Sequence, residues 1–192
     1  MPLPRDGAPQ RERADAARNR ARVLAATERL LAEAPGAIPT MEQIAAAAGV
    51  GKGTLYRRYP DVASIAVALL DEHERALQER LLRGPPPVGP GAPPAERLAA
   101  FYRAMVQLLE RHGHLALAAE TGARRYATGA YAAWRLHVRA LLDEAGVEDA
   151  AVLEDALLAP LAPDLFAHQR AAGRSARTIA DGLATLARRA LG

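Results

Sequence analysis

The stretch that decides the fold is residues 40–59, which read TMEQIAAAAGVGKGTLYRRY. Thr40 and Gln43 have the spacing of a capping box, in which each residue satisfies a free backbone N–H of the other at the start of a helix. Gly49 predicts the end of that helix, because glycine adopts the positive φ that a tight turn requires. A second short helix is predicted from about Gly51 to Tyr59, so two short helices meet at a tight turn.

This spacing is that of a helix-turn-helix unit. Ala45 falls where the two helices cross, and its small side chain lets the backbones approach each other. Ile44, Val50 and Leu55 are placed to form a small core that holds the angle between the helices. The spacing also suits a tight helical hairpin in an all-α protein of another kind, and that alternative stays open on spacing alone.

The outward face of the second helix combines long donors, a hydroxyl and an aromatic ring, which suit contacts with base edges and phosphates. The residues on this face are Lys52, Thr54, Tyr56, Arg57 and Arg58. Lys52 is the only lysine among the 25 basic residues of the chain. An ammonium contacts a guanine edge or a phosphate as a point charge, so Lys52 is a specific candidate for base contact.

Positive charge is concentrated in the same part of the chain. Residues 1–60 carry 10 basic and 6 acidic residues, a net charge of +4, whereas residues 61–192 carry 15 basic and 16 acidic residues, a net charge of −1. Such a distribution indicates a segment that faces a polyanion. A solvated basic helix face is the alternative interpretation.

Composition excludes several other classes of protein. The chain has no cysteine, which excludes disulfides, thiolate metal sites and a cysteine nucleophile. No apolar run approaches the roughly 18 residues that a membrane helix needs, and the N-terminus lacks the apolar core of a signal peptide. We therefore expect a cytoplasmic protein that makes no membrane contact.

Neither a metal nor a cofactor is expected. His112, His114 and His137 have no cysteine or carboxylate at ligand spacing, so they are predicted to be solvated or core histidines. Residues 71–74, which read DEHE, are predicted to form a solvated helix face.

Apolar residues recur at helical spacing through the rest of the chain, and no strand pattern is present, so the fold is predicted to be all-α. The further predicted helical segments cover residues 15–34, 61–83, 95–112, 114–121, 124–145, 148–172 and 176–191, and the segment at 148–172 is predicted to be interrupted by Pro160 and Pro163. Residues 1–12 are predicted to be disordered. In residues 84–94, 9 of 11 are Gly or Pro, which predicts a loop, either a linker between domains or a surface loop within one helical domain.

Residues 44–50, IAAAAGV, followed by residues 53–60, GTLYRRYP, resemble the signature of TetR-type transcriptional regulators. Residues 155–161, DALLAPL, also resemble the start of the penultimate helix of that family. The resemblance implies an N-terminal three-helix helix-turn-helix DNA-binding domain, joined by a long helix to a helical ligand-binding and dimerisation domain. The implied organisation is a disordered basic arm at 1–12, a DNA-binding domain at 13–60 and an effector-binding and dimerisation domain at 61–192.

The resemblance also implies which residues bind double-stranded DNA: Thr40, Lys52, Gly53, Thr54, Tyr56, Arg57, Arg58 and Tyr59. Thr40 stands at a helix N-terminus, where free N–H groups favour a phosphate. Most relatives place a lysine two residues into the fourth helix, where this chain has Val62, and Asp61 beside it is unfavourable for an anion. The phosphate then meets the helix N-terminus directly, or the contact is lost. Glu42 is expected to face aside.

A homodimer is expected, because one short recognition helix reads only a few base pairs and a dimer reads a palindrome. By resemblance, the interface lies in the last two helical segments. The candidate interface residues are Leu153, Leu157, Leu161, Leu165, Ile179, Leu183 and Leu186. The alternative is that these side chains complete the core of the monomer.

An effector pocket is implied in the middle helices, where six of the eight aromatic residues lie. The candidate lining residues are Phe101, Tyr102, Met105, Leu109, His112, Glu120, Tyr131, Trp134, Val138 and Phe166. Ordinary core packing is the alternative for each aromatic residue.

The resemblance thus implies a ligand-responsive repressor that binds a palindromic operator as a dimer and is released by a small apolar or amphipathic effector. It implies no enzymatic activity. The alternative is a helical small-molecule-binding protein or enzyme whose N-terminal hairpin does not bind DNA.

Overall fold

The computed structural model describes residues 8–34, 37–119, 126 and 128–192, with side chains in these ranges except those of 8–13 and 114–119. The described residues form helices and no strands, which confirms the prediction of an all-α fold. The α-helices are α1 (Ala8–Glu33), α2 (Met41–Ala48), α3 (Lys52–Arg58), α4 (Val62–Arg83), α5 (Pro94–Ala119), α6 (Gly129–Glu144), α7 (Ala150–Leu158), α8 (Pro163–Ala171) and α9 (Ala176–Leu191).

Backbone contacts divide the chain into two compact units, which meet between Leu69 and Leu70. The division lies nine residues beyond the predicted boundary at 60/61. The first turns of α4 belong to the first unit, where Ile65 is fully buried and the Arg20 guanidinium donates to the Ala68 carbonyl at 3.4 Å.

The start of α1 differs from the prediction. This helix begins at Ala8 and not near residue 15, so residues 8–12, predicted to be disordered, are helical. Residues 1–7 lie outside the described residues. The core of the first unit joins α1 through Val23, Leu24 and Thr27 to the apolar faces of α2 and α3. Thr27 is buried without cost because its hydroxyl donates to the Val23 carbonyl at 2.9 Å.

The second unit is built around α5, against which α9 packs. Its core contains Phe101 and Tyr102 from α5 together with Trp134 from α6, and the Tyr102 hydroxyl donates to the Leu157 carbonyl at 2.8 Å. At the surface, Arg188 on α9 binds Glu96 on α5 through two hydrogen bonds of 2.7 and 3.2 Å. The loop at 84–93 lies within this unit, so it is a surface loop and not a linker between domains.

Two predicted helix boundaries in the second unit are wrong. The predicted break near Gly113 does not occur, because α5 continues to Ala119. A lone glycine costs a helix only about 1 kcal/mol relative to alanine, and a Cβ at position 113 would lie 4.0 Å from the Phe166 ring. The helix predicted to begin at residue 124 begins instead at Gly129, after the N-cap residue Thr128. The predicted interruption of residues 148–172 at Pro160 and Pro163 is confirmed, because α7 ends at Leu158, a 3-10 turn covers Ala159–Leu161, and Pro163 begins α8.

Among the described residues, no helix is long and apolar enough to span a membrane.

Candidate nucleic-acid interface and ligand cavity

The turn between α2 and α3 has the predicted geometry. The Thr40 N–H donates to Gln43 Oε1 at 2.8 Å, and the Gln43 N–H donates to Thr40 Oγ1 at 3.2 Å, which completes the capping box. Gly49 has a φ of 63°, the left-handed conformation that a side chain would strain. Ile44 and Leu55 are buried, so α2 holds α3 at a defined angle.

One face of α3 is left free by this packing. Leu55 is its only buried residue, and the exposed residues are Lys52, Gly53, Thr54, Tyr56, Arg57 and Arg58. Within the described residues, Arg57 and Arg58 form no ion pair, so both guanidinium groups are available to an anion. Gly53 would have no heavy atom within 4 Å of an added Cβ, so the backbone itself is accessible there. The predicted DNA-contact residues of α3 therefore share one exposed basic face.

Tyr59 differs from the other predicted contacts, because it is 5% exposed and lies in the core of the first unit. Its hydroxyl accepts a hydrogen bond from Arg20 at 3.3 Å. The Arg58 guanidinium carbon lies 6.0 Å from the centre of its ring. Tyr59 therefore supports the orientation of α3 and does not form part of its exposed face.

Glu42 does not face aside as predicted. Its carboxylate lies 3.7 Å from Lys52 Nζ and accepts a hydrogen bond from the Tyr56 hydroxyl at 3.4 Å. The pKa of this carboxyl is lowered, chiefly by a hydrogen bond from the Glu42 backbone N–H and further by Lys52 and Tyr56. Desolvation, followed by the Glu42 charge, raises the pKa of Tyr56. One acidic residue of α2 thus contacts two of the predicted DNA-binding residues.

The N-terminus of α4 is capped by its own sequence. Asp61 Oδ1 accepts a hydrogen bond from the Ser64 N–H at 2.7 Å, and the Ser64 hydroxyl donates to the Asp61 carbonyl at 2.6 Å. An aspartate at this place satisfies a free N–H that a phosphate would otherwise use. Val62 follows it and supplies no cation.

The second unit contains a cavity of about 50 Å³. Its lining residues are Leu70, Glu74, Met105, Leu108, Leu109, Thr128, Tyr131, Trp134, Leu158, Leu161, Ala162 and Pro163. Four of them, Met105, Leu109, Tyr131 and Trp134, are predicted pocket residues. The Tyr131 hydroxyl donates to Asp155 Oδ1 at 2.8 Å, which ties this wall of the cavity to α7.

The other predicted pocket residues do not line this cavity. Phe101, Tyr102 and Val138 are fully buried in the main core, and Phe166 packs in a second apolar cluster. His112 is buried and stacks on His73 with ring centres 4.1 Å apart. Glu120 lies outside the described residues.

Glu74 is one of the lining residues that the sequence interpretation missed; the others include Leu70, Thr128, Leu158, Leu161, Ala162 and Pro163. Residues 71–74 were expected to form a solvated face, which is wrong at this position, because Glu74 is 9% exposed. The feature of the sequence that could have indicated the burial of Glu74 is its spacing from the leucines of α4. Position 74 falls four residues after Leu70 and three before Leu77, on the buried stripe of α4.

The predicted dimer residues fall into two groups. Leu157, Leu161 and Ile179 are buried within the chain, and Leu183 is partly buried against the core. Leu153, Leu165 and Leu186 are between 36% and 39% exposed. The second group is therefore the part of the predicted interface that a partner could cover.

Residues 23–69 match the family model for bacterial regulatory proteins of the tetR family, which contains the capped turn and α3. The sequence prediction of a TetR-type regulator is thereby confirmed for this part of the chain. No curated protein sequence matches the chain significantly.

Solved structures share the fold over most of the chain. A proposed TetR-family transcriptional regulator from Rhodococcus sp. has a TM-score of 0.64 and 16% identity, and the match covers 92% of this chain and 100% of that one. A proposed fatty acid metabolism regulator from Clostridium perfringens has a TM-score of 0.55 and 16% identity, over 89% and 98% of the two chains. A proposed transcriptional regulator from Pseudomonas aeruginosa PAO1 has a TM-score of 0.50 and 21% identity, over 90% and 93%. At these identities the similarity shows the fold.

Proposed function

We propose that this chain, which has the fold of TetR-type regulators and matches that family over residues 23–69, is a transcriptional repressor. It binds a palindromic operator as a homodimer in the cytoplasm and is released by a small apolar or amphipathic effector. It acts by binding and not by catalysis.

The exposed face of α3 carries this proposal. Lys52, Tyr56 and two arginines without ion-pair partners among the described residues project from a helix whose angle is set by a capping box and a left-handed glycine. Such a face offers phosphate contacts for affinity and donors for base edges. A purely structural hairpin has no need of two exposed arginines without ion-pair partners.

Effector release requires one helix that contributes both to the cavity and to the DNA-binding unit. Leu70 and Glu74 on α4 line the cavity, and the same helix begins at Val62 in the first unit. A ligand in the cavity would shift α4 and thereby separate the recognition helices of a dimer. Only a ligand that prefers the DNA-free conformation can do this, because tight binding alone shifts no equilibrium.

Selection from random double-stranded DNA tests the proposal. We expect the purified protein to enrich a palindrome with half-sites about one helical turn apart, and to bind it selectively at about 150 mM salt, where nonspecific binding is weak. Absence of any sequence preference at that salt would contradict the proposal and favour the alternative of a helical ligand-binding protein or enzyme.

Point variants then test the recognition face. Lys52→Ala and Tyr56→Ala should each weaken operator binding by about tenfold, as loss of a good base or phosphate contact does, with little change in melting temperature. Arg189→Ala, which removes an exposed cation from α9, is the matched control and should bind normally. Wild-type affinity of both α3 variants would show that another surface contacts DNA.

A further inference from the structure

A groove of about 350 Å³ runs between α5 and α9 in the second unit. Its volume falls within the range of ligand clefts, which begins at ~300 Å³, whereas the cavity lined by Trp134 measures about 50 Å³. The groove and that cavity have no described lining residue in common. The groove is therefore a separate place on the second unit.

The floor of the groove is apolar, because small side chains of α9 lie opposite a valine of α5. Val106 is buried and belongs to the apolar cluster that also contains Ile179. Ala176 and Ala180, about one turn apart on α9, line the other side of the floor. An apolar segment of a ligand gains free energy when it covers this floor.

The α5 wall of the groove carries a row of polar side chains. Arg103, Gln107 and Arg111 follow one another at intervals of four residues, so they lie along one face of the helix. The two arginines are about 12 Å apart along the helix axis. Within the part of the chain that the structure describes, neither arginine forms an ion pair or a hydrogen bond. Two cationic groups thus stand at the two ends of the row.

The acidic side chains of the groove are already bound by other arginines. Both carboxylate oxygens of Glu110 accept from Arg170 on α8, at 2.9 and 3.0 Å. Asp181 Oδ2 lies 3.7 Å from Arg177 Nε. With Arg170 included, the described groove holds four arginines and two carboxylates, which leaves a formal charge of +2.

Glu96 is a further carboxylate near Arg103, although it does not line the groove. A hydrogen bond from Arg188 and, to a smaller extent, the charges of Arg188 and Arg103 lower the pKa of Glu96. Both oxygens of this carboxylate accept from Arg188, so Arg103 acts on it only at a distance. The guanidinium of Arg103 can therefore still bind a ligand.

We propose that the groove binds a small organic dicarboxylate, with one carboxylate held by Arg103, the other by Arg111 and the apolar middle segment against Val106. A guanidinium matches a carboxylate with two parallel N–H groups. Two charges separated by an apolar segment fit two separated arginines, whereas a phosphate places its charges on one group. The site lies outside the proposed effector cavity and does not depend on DNA binding.

The groove also lies away from the leucine of α9 that is proposed to contact a second copy. Arg177, which lines the groove, and Leu186 are nine residues apart, about two and a half helical turns, so they point in opposite directions. Dimerisation through Leu186 therefore leaves the groove accessible from the side of α9 on which Arg177 lies.

Calorimetric titration of the full-length protein, at neutral pH and constant ionic strength, tests the proposal. Adipate is compared with hexanoate, which lacks one carboxylate, and with 1,6-hexanediol, which carries no charge. We expect adipate to bind one site per chain at least about tenfold more tightly than hexanoate, because hexanoate loses one charged hydrogen-bonded pair, and we expect no binding of the diol. Equal or tighter binding of hexanoate, or no saturable binding of adipate at millimolar concentrations, would overturn the proposal.

Single substitutions locate the contact. Arg103→Gln and Arg111→Gln should each weaken adipate binding by about tenfold. Arg189→Gln, which removes an exposed arginine of α9 outside the groove, is the matched control and should leave adipate binding unchanged. Unchanged binding in both groove variants would place the ligand elsewhere, and equal weakening in the control would show nonspecific attraction to positive charge. Either result would contradict the site.

A conservative variant separates charge from geometry. Arg111→Lys keeps the positive charge and loses the paired N–H groups, so it should bind adipate more tightly than Arg111→Gln and less tightly than the wild type. Equal binding by the two variants at position 111 would contradict the role of Arg111 as counter-ion. Circular dichroism checks the fold of each variant. Arg111 is exposed, so its two variants decide the question if Arg103→Gln, at a partly buried position, does not fold.

Discussion

Glu42 opposes the function proposed for the residues that it contacts. Its carboxylate lies beside Lys52 and accepts a hydrogen bond from Tyr56. Both of these side chains must turn toward DNA in a complex, so both contacts compete with DNA. The exposed carboxylate would also lie close to phosphates, which repel it. We therefore expect Glu42 to lower the affinity of the α3 face for nonspecific DNA.

We accordingly expect Glu42→Gln to bind DNA more tightly, by up to about fivefold for one exposed charge, with the larger gain on nonspecific sequences. Fluorescence anisotropy with operator and scrambled DNA measures both affinities. Glu33→Gln is the matched control, because it also removes one exposed carboxylate that takes part in an ion pair. Glu33 Oε1 lies 3.7 Å from Arg29 Nε on α1. Weaker operator binding in Glu42→Gln would show instead that this carboxylate accepts from a base, as it can from cytosine.

His137 makes stability depend on pH. Burial, together with the charge of Arg97, lowers the pKa of His137 to about 4. The unfolded chain binds this proton near the ordinary value, so stability is present at neutral pH and is lost as the pH falls from about 6.5 toward 4.

His137→Gln should therefore flatten the acid side of the stability profile. We expect the wild type to lose on the order of 1–2 kcal/mol more than the variant between about pH 7 and pH 4.5. Urea unfolding across this range, followed by circular dichroism, measures the difference. Parallel profiles of the two proteins would contradict the lowered pKa.

Residue-scale prediction from sequence succeeded where local chemistry decides and failed where packing decides. Thr40 and Gln43 form the predicted capping box because its two hydrogen bonds involve only residues three apart. Tyr59 and Glu74 were misplaced, since their burial depends on helices distant in sequence. Four consecutive polar residues at 71–74 suggest a solvated face, although helical rotation turns the last of them inward.

At the scale of elements, Gly49 and Gly53, on either side of the α3 N-cap, have opposite requirements. Gly49 has a positive φ, whereas Gly53 lies within α3 with open space around its Cβ position. Gly49→Ala should cost about 1–2 kcal/mol through backbone strain. Gly53→Ala should stabilise the helix by up to about 0.5–1 kcal/mol while it weakens DNA binding by keeping the backbone away from phosphates. Urea unfolding and anisotropy measure the two effects, and equal stability changes in both variants would contradict this difference.

The start of α4 offers a gain of function. Val62 stands where the resemblance to TetR-type regulators implies a lysine, and Asp61 already caps the helix. Val62→Lys should increase DNA affinity and steepen the dependence of log K on log salt by about 0.9 per contact, doubled in a dimer. Val62→Gln, which adds length without charge, is the control and should keep the wild-type slope. A Val62→Lys slope equal to the wild type would mean that position 62 does not approach a phosphate.

Helix boundaries were predictable where caps and breakers agree with periodicity. Helix α9 begins and ends at the predicted residues 176 and 191, since Ser175 accepts the Thr178 N–H as an N-cap. Pro160 and Pro163 interrupt the helix as predicted, but Gly113 was harder, because a glycine shows only that a helix is weakened. Whether the helix continues depends on packing, as the approach of Phe166 to Gly113 illustrates.

At the scale of the whole molecule, the two units differ in the residues that they bury and in the surfaces that they expose. The first unit buries the inner faces of α2 and α3 and exposes a basic one. The second buries its aromatic residues around α5 and retains a small cavity. Sequence periodicity predicted the helices that make these units. Periodicity could not predict that the boundary between the two units lies within α4, because one continuous apolar stripe on this helix contributes residues to both cores.

Three of the predicted interface leucines remain partly exposed after the core of the second unit is complete: Leu153, Leu165 and Leu186. Their partial burial suits a surface that a second copy covers, and a two-fold interface would use the same residues from both protomers. We expect Leu186→Glu on α9 to yield a monomer and to weaken operator binding by more than about tenfold, because each half-site is then read alone. Light scattering coupled to size exclusion measures the mass, and anisotropy measures the affinity.

Leu136→Glu on α6 is the matched control for that variant, since Leu136 is more exposed, at 73%, and lies outside the proposed interface. It should remain a dimer with normal operator affinity. If Leu186→Glu stays dimeric while Leu136→Glu dissociates, the interface lies on α6. The spacing of the two recognition helices on a palindromic operator would then be set by contacts between the α6 helices, and not by the last two helical segments that the resemblance implies.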